Sequence, residues 1–161
     1  HARRIEFYGV GNSGIVAQDA QHKFFRFGMS TVAYSDPHIQ LMAAAVLSDQ
    51  DVLVVFSNSG SSIEVLELVS IAKSNGASVI AITRADSSLA HLADCVLNVA
   101  AQEDSEEYTP MVSRLLQLVV VDILAIGLAL RLGETASLQL EKGKRSIHNR
   151  RVETEHEQEA Q

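Results

Sequence analysis

The chain has 161 residues, a length that fits one domain with a buried core. Apolar residues make up 47% of it and aromatic residues only 5%, so that Ala, Val, Ile and Leu have to build the interior, as in a parallel sheet covered by helices. Its 13 basic and 20 acidic side chains give a formal net charge of −7, which disfavours direct binding to nucleic acid, and its single cysteine, Cys95, excludes an intrachain disulfide and favours a reducing cytoplasm.

Short β-branched runs alternate with helical stretches along the chain. Strands are predicted at residues 5–10, 31–34, 51–56, 78–83 and 96–99. Helices are predicted at residues 15–27, 39–47, 63–75, 88–93 and 115–130. This alternation predicts an α/β fold, a three-layer αβα sandwich around a parallel sheet. Such sheets bind ligands beyond the carboxyl ends of their strands, where the strand order reverses.

The last of these helices is almost wholly apolar. It is short for a membrane span and contains Gln117 and Asp122, so we expect no membrane contact. A helix without a solvated face is expected to pack on the sheet with one side and on another subunit with the other. The composition then changes, which predicts a folded domain at residues 1–133 and a charged tail at 134–161 that is partly helical or disordered.

The first predicted strand leads into Gly9-Val10-Gly11-Asn12-Ser13-Gly14. This run matches the G-x-G-x-x-G fingerprint of dinucleotide-binding folds, and Asp36 stands near the place of a ribose-binding acid. Asp36 precedes Pro37, however, and closes a turn equally well. A dinucleotide-binding domain therefore remains the least favoured of three alternatives.

The third predicted strand leads into Ser57-Asn58-Ser59-Gly60-Ser61-Ser62, which has four serines in six residues and opens a helix. A capping box between Ser61 and Glu64 accounts for only one of these serines. Several hydroxyls beside the unpaired N–H groups of a helix start favour a phosphate dianion. Hydrogen bonds to a charged group contribute about 1.5–3 kcal/mol each. Three or four of them hold a phosphate without any Lys or Arg.

The two loops together resemble the sugar isomerase (SIS) domain, over residues 4–132. The motifs that carry this resemblance are G-x-G-x-S (Gly9, Gly11, Ser13) and S-x-S-G-x-S (Ser57, Ser59, Gly60, Ser62). Residues 17–28 and 113–122 resemble the ligand domain of RpiR-type regulators, especially the repressors of hexose catabolism among them. The resemblance implies a five-stranded parallel sheet of flavodoxin-like order. It also implies that Ser13 and Ser57 are the principal ligand contacts, with Ser59 and Ser62 completing a phosphate cradle.

The function implied by the resemblance is that of an effector-binding domain in a bacterial regulator of sugar catabolism. The effector would be a phosphorylated sugar acid, 2-keto-3-deoxy-6-phosphogluconate, whose binding releases DNA. The phosphate is expected to contact residues of both loops: Gly11, Asn12, Ser13, Ser57, Asn58, Ser59, Gly60, Ser61 and Ser62. The candidate contacts to the sugar acid are Lys23, Glu107, Tyr108 and Arg114. We expect a homodimer or tetramer in the cytoplasm that contacts DNA only through an N-terminal helix-turn-helix domain, which nothing in these residues matches.

A phosphosugar isomerase or lyase is the second alternative, and it requires a base that moves a proton between adjacent carbons. The candidate bases are Glu64, Glu103, Glu106, Glu107, His22 and His91. None of them forms an acid–base pair at a spacing that commits it to one site, so we predict no catalytic residue. No His, Cys or carboxylate cluster has the spacing of metal ligands, so we predict no metal and no cofactor.

Overall fold

A computed structural model describes residues 2–99 and 111–148. Within these residues the strands are β1 (Arg4–Tyr8), β2 (Thr31–Tyr34), β3 (Asp51–Phe56), β4 (Ser78–Thr83) and β5 (Cys95–Asn98). The helices are α1 (Asn12–Phe24), α2 (Pro37–Ala44), α3 (Ile63–Ser74), α4 (Ser88–Leu92), α5 (Val112–Leu132) and α6 (Glu134–His148). A single 3-10 turn, Phe25–Phe27, follows α1.

The five strands form one parallel sheet in the order β2-β1-β3-β4-β5. This confirms the predicted α/β fold with flavodoxin-like strand order. The order reverses between β1 and β3, where Tyr8, the last residue of β1, lies opposite Val55. The chain leaves β1 and β3 toward opposite faces of the sheet, which opens a crevice between the loops that follow these two strands.

Both faces of the sheet are covered, because successive side chains of a strand point to opposite sides. Tyr8, Leu53 and Val55 point to the face that is covered by α2, α3 and α4. Phe7 and Val54 point to the opposite face, which packs against α1 and α5. The central strands are therefore buried on both sides, as their continuous apolar sequence predicts.

The polar network of Asp51 fixes the sheet at the edge opposite the crevice. The Asp51 carboxylate accepts hydrogen bonds from Nε and Nη2 of Arg3, at 3.1 and 2.8 Å, and from the backbone N–H and hydroxyl of Ser48, both at 2.9 Å. The Arg3 guanidinium and the two Ser48 donors hold the pKa of Asp51 at about 2. These bonds join the starts of β1 and β3. They lie at the amino edge of the sheet, so they do not occupy its carboxyl edge.

The first loop is tighter than the sequence predicts. β1 ends at Tyr8 rather than at residue 10, and α1 begins at Asn12 rather than at residue 15. The reason is that the backbone N–H of Ser13 already donates to the carbonyl of Val10 at 3.2 Å, so that helical hydrogen bonding starts inside the glycine motif. Ser13 therefore belongs to the first turn of α1.

The C-terminal part of the described chain is helical. α5 begins at Val112, three residues before its predicted start, and Gly133 ends it with φ 56°. α6 covers the first 15 residues of the predicted charged tail and packs against the 3-10 turn after α1. Residues 149–161 lie outside the described part, so the domain boundary at residue 133 stays a prediction.

Candidate ligand-binding site

A pocket of about 250 Å³ lies in the crevice where the strand order reverses. It is lined by three segments that are distant in sequence: Val10, Asn12 and Ser13 after β1, Asn58 after β3, and Ser113, Arg114 and Gln117 at the start of α5. The structure thus brings the predicted residues Asn12, Ser13, Asn58 and Arg114 to one pocket. Ser113 and Gln117 join them although the sequence analysis does not place them in a site. The other predicted phosphate contacts are not among its lining residues: Gly11, Ser57, Ser59, Gly60, Ser61 and Ser62.

The first loop is held rigidly beneath Ser13. A Cβ atom on Gly9 would lie 2.3 Å from the carbonyl oxygen of Ser13, so only glycine fits this close approach of two backbone segments. The side chain of Gln40, which is 1% exposed, donates from Nε2 to the carbonyls of Gly9 at 3.0 Å and of Tyr34 at 2.7 Å. Gln40 therefore positions the loop from α2, a role that the sequence analysis misses.

The second loop is built around Ser57 and Gly60. The Ser57 hydroxyl, 7% exposed, accepts a hydrogen bond from the backbone N–H of Gly60 at 3.1 Å and keeps its own O–H available for donation. Gly60 has φ 60°, and a Cβ there would lie 2.3 Å from the hydroxyl oxygen of Ser87. Glycine is thus required by conformation and by space, and it bends the chain so that α3 starts at the crevice.

Two helices begin at these loops. α1 has Gly11 and α3 has Ser62 as its N-cap residue, and neither residue makes a side-chain capping hydrogen bond. The N–H groups of a first helical turn have no partner inside their helix, and the helix dipole places partial positive charge there. At the start of α1, the N–H groups of Ser13 and Gly14 already donate to carbonyls of the glycine loop. The start of α3 therefore offers the backbone donors, and the loops add serine hydroxyls, an arrangement suited to an anion.

The predicted capping box between Ser61 and Glu64 is wrong. The N-cap residue is Ser62, and its hydroxyl donates to Oε2 of Glu64 at 2.7 Å, which lowers the pKa of Glu64. The positive φ of Gly60 shifts the helix start one residue beyond the position that the spacing suggests. Ser61 is exposed, and its backbone N–H donates to the Ser59 hydroxyl at 3.4 Å.

The four candidate contacts to the sugar acid have different positions. Arg114 lines the pocket, and its Nε is buried without a partner among the described residues. Lys23 lies in the last turn of α1, ten residues and therefore about 15 Å along the helix from Ser13. Its ammonium group forms ion pairs with Asp19, at 2.9 Å, and with Asp122 of α5. The structure thus does not bring Lys23 to the pocket, and Glu107 and Tyr108 lie outside the described residues.

Asp36, His22 and His91, which would support the two alternative functions, lie outside the pocket lining. Asp36 caps α2 by accepting the N–H of Ile39 at 3.0 Å, the turn-closing role considered above. His22 packs on the ring of Phe25, and His91 places Nδ1 2.8 Å from the carbonyl of Ser87. Neither histidine lines the pocket. Of the other candidate bases, Glu103 and Glu106 lie outside the described residues.

Glu6 is a buried carboxylate that the sequence analysis does not consider. Burial raises its pKa against the opposing effect of a hydrogen bond from the Tyr8 hydroxyl, and its Oε1 lies 3.0 Å from Nε of Arg4. A raised carboxyl pKa is a common sign of a functional group. Glu6 does not line the pocket, however. Because it is fully buried beside Tyr8, we assign it to the core of the domain.

Comparison with known proteins finds a consistent set of relatives. The sequence model of the SIS domain family matches residues 1–127. The chain is 50% identical over 131 residues to the bifunctional protein glk of Burkholderia thailandensis. The matched residues make up 81% of the chain and 20% of glk. It is 43% identical over 146 residues to the HTH-type transcriptional regulator HexR of Pseudomonas aeruginosa. The matched residues make up 91% of the chain and 51% of HexR.

A solved structure shows the same fold. The NanR protein of Vibrio vulnificus, complexed with ManNAc-6P, superposes with a TM-score of 0.84 at 25% identity, over 92% of this chain and 56% of NanR. The chain spans about half the length of HexR and about a fifth of the length of glk. The resemblance that the glycine and serine motifs suggest is confirmed by these matches.

Proposed function

The chain belongs to the SIS domain family, and we propose that it is the effector-binding domain of a HexR-like transcription regulator that senses a phosphorylated sugar acid. The observation that carries this proposal is the pocket that joins Asn58 and the first-loop residues Asn12 and Ser13 to Arg114. Its lining combines neutral polar side chains with one guanidinium. The relatives named above support the class of function, since HexR is a transcriptional regulator and NanR was solved with a sugar phosphate.

The phosphate end of the ligand is assigned to the two loops. Ser13 and Ser57 supply hydroxyl donors, the start of α3 supplies backbone N–H groups, and both helix starts supply dipole charge. Gly11, Asn12, Ser59, Gly60, Ser61 and Ser62 remain proposed members of the same cradle. No lysine or arginine lies in either loop, so the cradle relies on hydrogen bonds to the dianion, each worth about 1.5–3 kcal/mol.

Arg114 is assigned to the carboxylate of the sugar acid. A molecule with a phosphate at one end and a carboxylate at the other, such as 2-keto-3-deoxy-6-phosphogluconate, matches this arrangement of donors. We propose that its binding releases DNA that is held by an N-terminal helix-turn-helix domain, in the part of HexR that this chain does not span, and that the protein works in the cytoplasm.

We propose sensing rather than catalysis because the pocket lining that the structure describes contains no carboxylate and no histidine. A phosphosugar isomerase or lyase needs such a group within hydrogen-bonding distance of the carbon-bound proton. The alternative is kept because the SIS fold also occurs in isomerases.

Thermal-shift measurements with sugar phosphates and NAD, followed by NMR of the mixtures, separate the three functions. A phosphosugar acid at about 100 times its dissociation constant is expected to add roughly 2.7 kcal/mol to the free energy of unfolding, with no new NMR signals. Accumulation of a product would replace the sensor by an enzyme. Stabilisation by NAD alone would point to the dinucleotide fold.

We further propose that α5 forms the interface of a homodimer. Its outer face carries a stripe of apolar side chains that are 51–78% exposed: Val112, Leu115, Val119, Ile123, Ile126 and Leu130. α5 is long and apolar enough to cross a membrane by length and composition. Its inner face, however, carries the buried Ser113 and Gln117, and Asp122 pairs with Lys23 of α1. The helix is thus tied to the domain, and a second copy that pairs stripe with stripe is the occupant that fits.

Ile126→Glu is expected to weaken self-association about 10- to 100-fold, because a carboxylate would be buried against the partner's apolar stripe. Mass measured by light scattering over a concentration series reports this change. Ile147→Glu on α6 is the matched control, since both isoleucines are 62% exposed. An unchanged mass for Ile126→Glu, or an equal loss in both variants, would remove α5 as the interface.

A further inference from the structure

We infer that Gln117 and Arg114 form a subsite that distinguishes acids from alcohols at the end of the ligand opposite the phosphate. The inference moves Asn58, which the sequence analysis assigns to the phosphate, to this subsite. The inference rests on the proposed function and adds to it a residue that determines specificity. It also adds a chemical class: a carboxylate or keto acid that carries a hydroxyl farther along its carbon chain.

The first observation is where unsatisfied polar atoms occur in the described chain. Buried side-chain atoms without a hydrogen-bond partner include Oδ1 of Asn58, Nε of Arg114 and Nε2 of Gln117, and all three residues line the 250 Å³ pocket. The remaining such atoms belong to Arg4, Glu6 and Asp19, and each of these lies 2.9–3.0 Å from an oppositely charged group. Buried polar atoms with neither kind of partner therefore concentrate in the pocket.

The second observation is how deeply Gln117 is buried. Gln117 is 2% exposed, although leucines, valines and isoleucines on the same helix face outward. Leaving a buried N–H unpaired carries a free-energy penalty, so a buried amide normally finds a partner inside the protein. An amide that is turned inward, unpaired and beside a cavity is explained if its partner is a molecule that enters the pocket.

The hydrogen-bonding character of the three atoms defines that molecule. Arg114 and Gln117 are three residues apart, so they share one face of α5 and present Nε and Nε2 as two donors to the same region. Oδ1 of Asn58 is an acceptor. The complement is a pair of acceptor oxygens next to a hydroxyl donor. A carboxylate or α-keto acid supplies the two acceptors. A hydroxyl farther along the sugar chain supplies the donor, on C2 in 6-phosphogluconate and on C4 in 2-keto-3-deoxy-6-phosphogluconate.

Two ligands that differ in one group test this subsite. 6-Phosphogluconate and glucitol 6-phosphate have the same carbon chain, hydroxyls and phosphate, but the first ends in a carboxylate and the second in a CH₂OH group. We expect calorimetric titration of the whole chain to show tighter binding of the acid. Gln117→Leu is expected to lower the affinity for the acid about tenfold, because one hydrogen bond to a charged group is lost. The affinity for the alcohol is expected to stay nearly unchanged. Gln117→Glu is expected to weaken the acid further, because its carboxylate repels that of the ligand.

The stability of the ligand-free variant separates recognition from a structural role. Leucine removes an unpaired buried amide, so the Tm of Gln117→Leu is expected to stay constant or to rise. Gln18→Leu, an exposed position on α1, is the matched control and is expected to change neither affinity. A fall in the Tm of Gln117→Leu, or an equal loss of both ligands, would overturn the subsite.

The same titrations distinguish failure of this inference from failure of the proposed function. One outcome is that Ser13→Ala lowers the affinity for both ligands while Gln117→Leu changes the affinity for neither. This result would support the phosphate cradle and reject the acid subsite. If Ser13→Ala changes the affinity for neither ligand, both the subsite and the proposed function are rejected. Wild-type protein that binds acid and alcohol equally well also removes the subsite.

Discussion

Ser57→Ala is expected to weaken the binding of a phosphosugar by about 10- to 100-fold, the loss of one hydrogen bond from a hydroxyl to a charged phosphate. The side chain is 7% exposed at the end of β3, where the strand order reverses, so water replaces it poorly. Its loss also leaves the N–H of Gly60 without the acceptor that lies 3.1 Å away. Calorimetric titration with 6-phosphogluconate measures the effect.

Ser70→Ala is the matched control for this variant. Ser70 lies on the outer surface of α3, where its hydroxyl donates to the carbonyl of Leu66 at 2.8 Å, away from the crevice. We expect its affinity for the ligand to equal that of the wild type. If Ser57→Ala binds as tightly as Ser70→Ala, the second loop does not hold the phosphate.

Gly60→Ala is expected to lower the free energy of unfolding by roughly 2–5 kcal/mol. One part of this loss is the positive φ of 60°, which costs an L-residue about 1–2 kcal/mol. The other part is overlap, because the new Cβ would lie 2.3 Å from the Ser87 hydroxyl oxygen and 2.5 Å from that of Thr83, and forced packing costs typically about 1–3 kcal/mol. Urea denaturation followed by circular dichroism measures the change.

Gly133→Ala separates the two contributions. Gly133 has nearly the same φ, 56°, but no atom lies within 4 Å of its added Cβ. Gly133 combines this φ with a ψ of −125°, a region that only glycine adopts readily. We therefore expect this variant to lose only a conformational part, about 1–3 kcal/mol. Equal losses in the two variants would show that the contact of Gly60 with Thr83 and Ser87 imposes no constraint on the second loop.

The strands were the most predictable part of the fold. β2, β3 and β4 have the bounds that their β-branched runs predict, because a strand that is buried on both faces has to be apolar throughout. The helix starts were less predictable. α1 starts three residues early, since the turn at Gly11 lets hydrogen bonding begin within the glycine motif, and hydrophobic spacing alone cannot show this.

The two loops are predictable as candidate anion sites because glycine, serine and a following helix leave a local signature. The inward positions of Gln40 and Gln117 are not, because a single glutamine in an apolar helix has the same local appearance whether it faces solvent or the interior. Only the packing of α2 and α5 on the rest of the domain turns these two side chains inward. A lone polar residue inside an apolar helix is nevertheless a usable signal, and both glutamines carry it.

The interpretation of Lys23 as a ligand contact illustrates a different limit. Its residue type suits a carboxylate, but helix length alone places it about 15 Å from Ser13. The ion pairs with Asp19 and Asp122 then give it a structural role between α1 and α5. Counting residues from a motif to a candidate contact along a helix is therefore a useful check before the contact is assigned.

The hydrogen bond between Ser62 and Glu64 affects how the site exchanges its ligand. The Ser62 hydroxyl, a proposed phosphate contact outside the pocket lining, donates to the Glu64 carboxylate at 2.7 Å. A phosphate that bound there would compete with this carboxylate for the same hydroxyl, so the new bond would replace an existing one. The displaced carboxylate would stay tethered two residues away and would recapture the hydroxyl when the phosphate left. In the sensor that we propose, such an internal competitor would shorten the residence time of the ligand and let the response follow a falling metabolite concentration.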